Sequence, residues 1–340
     1  MQKQKKFYLG IDVSKLWFDA AILSVIDHQK QPMQCERFDN THEGMKVFHK
    51  WLLRKSVSFD QNSFVVIENT GIYHRLIWQY CSAHNIPIYI GNATDLKWRM
   101  GMVRGKSDKV DSSRLCDYAY KNGDDLKATP ALDPGLLNLK DLMTARSNVL
   151  AQINSIKTYL SELKMFKGKQ IHQLMEQSHQ AALQGLKQSL VELEAQIKQA
   201  IKENPQLQRN YDLLISVPGI GHLSAAYLIC CTANFAGERT GKQLASYAGV
   251  VPFSERSGTS IKGRPRVHKM ANKELKKMLH LGAMSAIRYY PEFSDFYNRK
   301  KTQGKHPMSI LNAIRNKIAL RAAAVIKNQQ PYVDNYKKAA

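Results

Sequence analysis

The first hundred residues carry short apolar runs broken by polar turns. Residues 7–13 (FYLGIDV) are rich in strand formers, and after Ser14 and Lys15 a second such run fills 16–25 (LWFDAAILSV), so two adjacent strands are predicted. A polar stretch follows, with Asn40 and Thr41 as candidate helix caps ahead of an amphipathic segment at 43–54. Then come a strand at 63–68 (SFVVIE), a helix over about 72–84 and a strand at 86–91 (IPIYIG). Strands first clustered and then alternating with helices describe an α/β sheet with helices packed on it.

From about 135 to 205 the period changes. Prolines vanish between Pro134 and Pro205, and apolar residues recur at three- and four-residue steps: Leu150, Ile153, Ile156, Leu160 and Leu163, then Leu183, Leu186, Leu190, Leu193 and Ile197. This predicts two long helices folded as an antiparallel hairpin or coiled-coil arm, with Gly168 near the bend; an ordinary helical core is the plainer alternative. Next, YDLLISVPGIGHLSAAYLIC (211–230) reads as a helix stopping at Pro218 and another starting after Gly221, a helix-hairpin-helix. Gly219 and Gly221 have no side chain to hold a DNA phosphate away from the hairpin amides. A tight turn between packed helices has the same pattern. The rest reads as a helix at 241–248, a Gly/Ser/Arg-rich loop at 252–266, and helices at 271–289 and 308–328. Three domains are expected: α/β at 1–130, a helical segment at 131–206, and a mostly α domain at 207–340.

Charge narrows the function. Fifty Lys plus Arg stand against 28 Asp plus Glu, a net charge of +22, while 44% hydrophobic content excludes a disordered basic tail. Residues 251–340 alone hold 19 basic and 5 acidic residues, so a polyanion partner is expected. The five cysteines form no CxxC pair and no histidine completes a zinc spacing, which excludes a disulfide framework and a zinc finger and implies a reducing, cytoplasmic setting. Asp12 interrupts the start before a signal-peptide core forms, and no apolar run reaches membrane-spanning length, so no membrane partner is expected.

Against this basic background four acids stand out. Asp12 follows FYLGI, at or just past the middle of its strand, and Glu68 ends SFVVIE. An unpaired carboxylate in an apolar strand costs several kcal/mol, so a compensating cation is expected at each. Asp108 and Asp111, three apart in KSDKVDSSRLCDYAY, share a face at the opening of a helix, although Lys106, Lys109 and Arg114 could neutralise them. Carboxylates from two strands and one helix suit two Mg²⁺ ions, for which Mn²⁺ can substitute, held against a phosphodiester. In VPFSERSGTSIKGRPRVHK (251–269), Ser254, Ser257 and Ser260 offer hydroxyls, and Arg256, Lys262, Arg264 and Arg266 offer cations suited to phosphate. A hydroxyl needs a base or metal to attack, and His268 is the one evident base there, so the residues alone favour a loop that grips phosphate without covalent chemistry.

LGIDVSK, VIENTG and KSDKVDSSR, followed by VPGIG, YAGVVPFSERSG and KGR, resemble the transposases of the IS110 type and the related Piv DNA invertases, in order along most of the chain. The resemblance implies a RuvC-like (RNase H-like) N-terminal domain whose DEDD tetrad falls on Asp12, Glu68, Asp108 and Asp111. It also implies a C-terminal transposase domain whose catalytic serine falls on Ser257, with Ser254 and Ser260 close enough for a shifted alignment to exchange them. It implies a composite site in which the tetrad of one subunit meets the serine of another, and hence a dimer or tetramer assembled through the long helices. Its expected partners are double-stranded donor and target DNA and a structured bridge RNA that guides their choice, in a bacterial protein at the nucleoid when acting. The alternatives are a RuvC-like metal-dependent junction nuclease without serine chemistry, or a nucleic-acid-binding scaffold.

Overall fold

The computed structural model describes residues 5–100, 108–131, 133–166, 168–237, 240–251, 256–257, 261–262, 267 and 270–334. The chain divides into two compact units, Met1–Leu132 and Asp133–Ala340.

The first unit is built on a mixed sheet. Strand β1 (Lys5–Val13) pairs antiparallel with β2 (Trp17–Ile26), which also carries β3 (Gln29–Lys30) and β4 (Gln34–Asp39). After helix α1 (His42–Arg54), strand β5 (Ser63–Glu68) lies parallel to the other side of β1, and after α2 (Arg75–Ala83) strand β6 (Ile88–Gly91) lies parallel to β5. Helices α3 (Ala93–Met100) and α4 (Asp108–Asn122) follow. Alternation along the strands buries both faces of the sheet. Leu9, Ile11, Val13, Phe18, Val65 and Ile67 pack against Phe48, Trp51 and Leu52 of α1 and against Ile77 of α2. On the opposite face Tyr8, Ala21, Leu23 and Val66 meet Leu96 of α3 and Leu115, Cys116 and Ala119 of α4.

Several boundaries differ from the sequence expectation. Strand β4 (QCERFD) escapes the pattern because it lies at the side of the sheet and buries fully only Phe38, and charged residues suit such a strand. Thr41 does cap α1, its side chain accepting from the Gly44 amide. The helix expected from 72 begins at Arg75, because Gly71 turns the chain with φ +72°. Asp12 is the penultimate residue of β1 rather than near its middle, since the strand stops at Val13, where the chain turns into β2.

Among the described residues the second unit is helical apart from one short ladder. Helices α5 (Pro134–Phe166) and α6 (Lys169–Lys202) pair antiparallel, as Arg146–Glu194 (2.7 Å) and the Tyr159–His179 ring contact show, with Gly168 as N-cap of α6. Leu136, Leu139 and Met143 at the start of α5 and Ile197 and Ile201 at the end of α6 join the unit's apolar core. Helices α7 (Pro205–Ile215), α8 (His222–Cys231) and α9 (Gly241–Tyr247) come next, then a two-residue antiparallel ladder of β7 (Arg256–Ser257) and β8 (Ile261–Lys262). Helices α10 (Lys273–Tyr289), α11 (Pro291–Thr302) and α12 (Pro307–Asn328) complete the unit. The pattern did not announce α3 or α11, each of which has a single buried anchor among its described side chains, Leu96 and Phe293. Among the described residues no helix is long and apolar enough to cross a membrane.

Candidate active site

Two of the predicted acids, Asp12 and Glu68, belong to one face of the first unit's sheet. Residue 12 points to the same side as Tyr8 and Gly10, and Glu68 to the same side as Val66; this is the side covered by α4. The parallel ladder pairs Ile11 with Ile67, so Asp12 and Glu68 are the next residues on adjacent strands.

Helix α4 is seated on β1 backbone to backbone. A Cβ placed on Gly10 would lie 2.0 Å from the Cys116 amide nitrogen and 2.2 Å from the Ser112 carbonyl oxygen. Cys116 Sγ donates to the Tyr8 carbonyl at 3.1 Å, and Tyr120 meets the Tyr8 ring edge-on at 5.4 Å. The helix therefore runs antiparallel to β1, with later helical residues over earlier strand residues. Two strand residues advance about 6.6 Å, roughly the rise of four helical residues, so the turn at the level of Asp12 is the first turn of α4. That turn contains Asp108 and Asp111. The side chain of Asp108 lies outside the described ones. Asp111 is half-buried and accepts from Arg114 Nη1 at 2.8 Å, the neutralising pair that the sequence allowed. Among the described residues no three carboxylates, histidines or thiols are gathered as a metal cluster. The set Asp12, Glu68 and Asp111 offers only oxygen donors, and that chemistry fits a hard divalent ion such as Mg²⁺ or Mn²⁺.

A further acid went unnoticed in the sequence. Asp19 of β2 stands directly opposite Asp12 in the antiparallel ladder and is 6% exposed. Its own neighbour across the next ladder is Arg37 of β4, which grips it through Nε (3.1 Å) and Nη2 (2.7 Å) and lies over the Trp17 ring at 5.1 Å. Opposed carboxylates repel, and Arg37 relieves that repulsion at Asp19. The sequence signal was incomplete: a two-residue turn at Ser14 and Lys15 would set residue 12 against residue 17, whereas the turn is closed by Ser14 and Trp17, which sets it against residue 19.

In the second unit, α7 and α8 flank the PGIG turn. Gly221 is the exposed N-cap of α8, and a Cβ there would meet nothing within 4 Å. Gly219 differs. Its φ is +88°, and it presses against Gly282 of α10, where a Cβ would come within 2.1 Å of the Gly219 carbonyl oxygen. The positive φ and the close packing of the turn on α10 account for glycine at 219 whether or not a phosphate binds there. Ser257 pairs with Ile261 and Arg256 with Lys262 in the short ladder. Arg264 and Arg266, with Ser254, Ser260 and His268, lie outside the described residues.

Comparisons with known proteins agree on one family from both ends of the chain. Residues 9–163, which contain Asp12, Glu68, Asp108 and Asp111, match the DEDD transposase family of IS110. Residues 211–298, which contain Gly219, Gly221, Arg256, Ser257 and Lys262, match the transposase family of IS116, IS110 and IS902. The pilin gene-inverting protein of Moraxella bovis is 26% identical over 340 residues, covering 96% of this chain and 98% of its own. Its counterpart from Moraxella lacunata has the same identity and coverage. An IS110 insertion-element protein of Streptomyces coelicolor is 33% identical over 129 residues, 38% of this chain and 31% of that one.

Proposed function

The chain belongs to the IS110-type transposases and is a DNA transposase or recombinase, and we propose that it cuts and exchanges strands with a metal-holding acidic tetrad and a nucleophilic serine. The observation that carries this reading is the seating of α4, which brings the turn of Asp108 and Asp111 level with Asp12, on the face that also receives Glu68. An order of antiparallel strands continued by two parallel ones, with a helix across the acid-bearing face, favours an RNase H-like (RuvC-like) first unit.

Asp12, Glu68, Asp108 and Asp111 would hold a divalent ion, Mg²⁺ or Mn²⁺. Bound there, it would supply charge stabilisation for a phosphodiester under attack. Ser257 would supply the nucleophile: its Oγ bonds to phosphorus as the bond from phosphorus to the leaving sugar oxygen breaks, and the freed oxygen takes a proton. The phosphoserine link keeps the strand's energy in a bond until another strand's hydroxyl displaces the serine. Gene inversion, for which the Moraxella relatives are named, is one outcome of such exchange. Arg256, Lys262, Arg264 and Arg266 would bind backbone phosphates, and Gly221 would let one approach the start of α8. A structured guide RNA is consistent with the net charge of +22, and a dimer or tetramer would place several serines and tetrads on one pair of DNA molecules.

The test is recombination of a donor and a target plasmid with the flanking non-coding RNA supplied or withheld. Wild type should yield a protein–DNA adduct that disappears in Ser257→Ala, and Asp12→Ala should yield no product. Full cleavage by Ser257→Ala together with an inactive Asp12→Ala would replace this reading with a junction nuclease.

A further inference from the structure

In the second unit Arg315 of α12 is only 5% exposed and lies between Ile314 and Ile318, both in the apolar core. Among the described residues its hydrogen-bond partner is His280 of α10, with 2.7 Å between Arg315 Nη2 and His280 Nδ1. Arg315 Nε is buried with no hydrogen-bond partner. Two acids of the neighbouring helices are engaged elsewhere: Glu292 with Arg321 and Lys317, Glu274 with Lys277. A guanidinium stays protonated, so this is a buried positive charge whose recorded partner is neutral. Such a charge is costly, and an apolar side chain of similar volume would be more stable in its place. Its presence points to an anion that arrives from outside.

The same place fixes the chemistry of His280. An arginine nitrogen only donates, so Nδ1 must accept and the ring proton sits on Nε2. Burial first, and Arg315 second, hold the His280 pKa below its ordinary value, which keeps the ring neutral. With Nδ1 accepting from Arg315, the Nε2–H of the partly buried His280 is a donor beside a fixed positive charge.

One turn before Arg315, Asn312 donates to the Val250 carbonyl at 2.7 Å, where the chain leaves α9 for β7. The returning end is pinned by Asn272, which donates to Tyr247 Oη and accepts from Tyr227 Oη, each at 3.0 Å. A Cβ on Gly249 would be 2.7 Å from that of Ala271, so the two roots are side by side. Arg315 therefore lies one helical turn from the base of the segment that bears Ser257.

We propose that Arg315 and His280 form a phosphodiester seat for the DNA substrate. The His280 Nε2–H donates to a phosphate oxygen, and Arg315 is the positioning residue that supplies the charge and fixes the tautomer. This rests on DNA being the substrate and not on the serine chemistry. RNA offers the same phosphodiester, so both are tested. With the full chain, fluorescence anisotropy over a range of salt would compare wild type, Arg315→Met and His280→Leu on a DNA duplex and on an RNA of equal length. Each variant should bind duplex DNA about tenfold more weakly; the salt slope should fall by about one in Arg315→Met, which removes the charge, and stay as in wild type in His280→Leu, whose ring is neutral, and Arg315→Met should melt no lower than wild type. In ¹⁵N spectra the His280 Nε2–H signal should shift when DNA is added, and Arg315→Met should release the tautomer.

Unchanged affinity and slope in both variants would overturn the seat. So would an unfolded Arg315→Met alongside a His280→Leu that binds like wild type. A loss confined to RNA would overturn the DNA assignment. If wild type forms no adduct at Ser257 while the binding losses appear, the serine reading fails and the seat stands.

Discussion

Substituting Gly10 by alanine adds one methyl group at the point where α4 rests on β1. The new Cβ would meet three backbone atoms of α4: the Cys116 nitrogen at 2.0 Å, the Ser112 oxygen at 2.2 Å and the Leu115 carbonyl carbon at 2.6 Å. Ordinary contact begins near 3.4 Å, so helix and strand must part by about 1.4 Å. None of the three is a side-chain atom that can rotate away, which places the cost at the upper end of overpacking, about 3 kcal/mol. Alanine also restricts the unfolded chain, a gain of at most about 1 kcal/mol that the clash outweighs. For a unit of this size the net change lowers the melting temperature by roughly 5–10 °C. The same displacement carries the first turn of α4 away from Asp12, and a 1 Å misplacement of reacting groups costs on the order of a hundredfold in rate. Thermal melting by circular dichroism and plasmid recombination at a temperature where the variant is folded would separate the two effects. Gly185→Ala, within α6, where a Cβ meets nothing within 4 Å, is the control and should be neutral or slightly stabilising. A Gly10→Ala protein with wild-type melting and wild-type recombination would refute the close seating of α4, and with it the argument that its first turn stands level with Asp12.

Two further outcomes follow from contacts described above. Arg37→Ala leaves the buried Asp19 carboxylate without its bidentate partner and should cost about 1–3 kcal/mol in urea denaturation, part of which Asp19→Asn in the same protein should recover. Gly282→Ala drives a methyl group into the Gly219 carbonyl and should cost about 3 kcal/mol, and because Gly219→Ala disturbs the same contact, the double variant should lose less than the two single losses combined.

Elements that bury a continuous stripe were legible before the structure. Strands β1, β2 and β5 are apolar because both faces of the sheet are covered, and α5 and α6 keep their three- and four-residue period because each lies along the other. Strand β4 and helices α3 and α11 were not, since an element holding one or two buried side chains has no period to detect. Asp12 stood out as an acid interrupting an apolar strand and Glu68 as an acid ending one. Asp19 broke its run in the same way, but its meaning depends on the residue across the ladder, and Arg37 comes from a third strand. Gly219 showed the converse limit. Its local pattern suits a phosphate, while the contact that requires glycine lies on Gly282, more than sixty positions later in the chain.

The α5–α6 hairpin is rooted at one end. Leu136, Leu139 and Met143 with Ile197 and Ile201 join the core of the unit, whereas Ile153 and Leu160, though buried, lie outside it. Thirty-three residues of helix reach about 50 Å, so a tilt of five degrees at the root would sweep the far turn through about 4 Å. The bearing of that lever is set by a few side chains at its pivot, and repacking Leu139 or Ile201 would be felt most strongly a full helix length away.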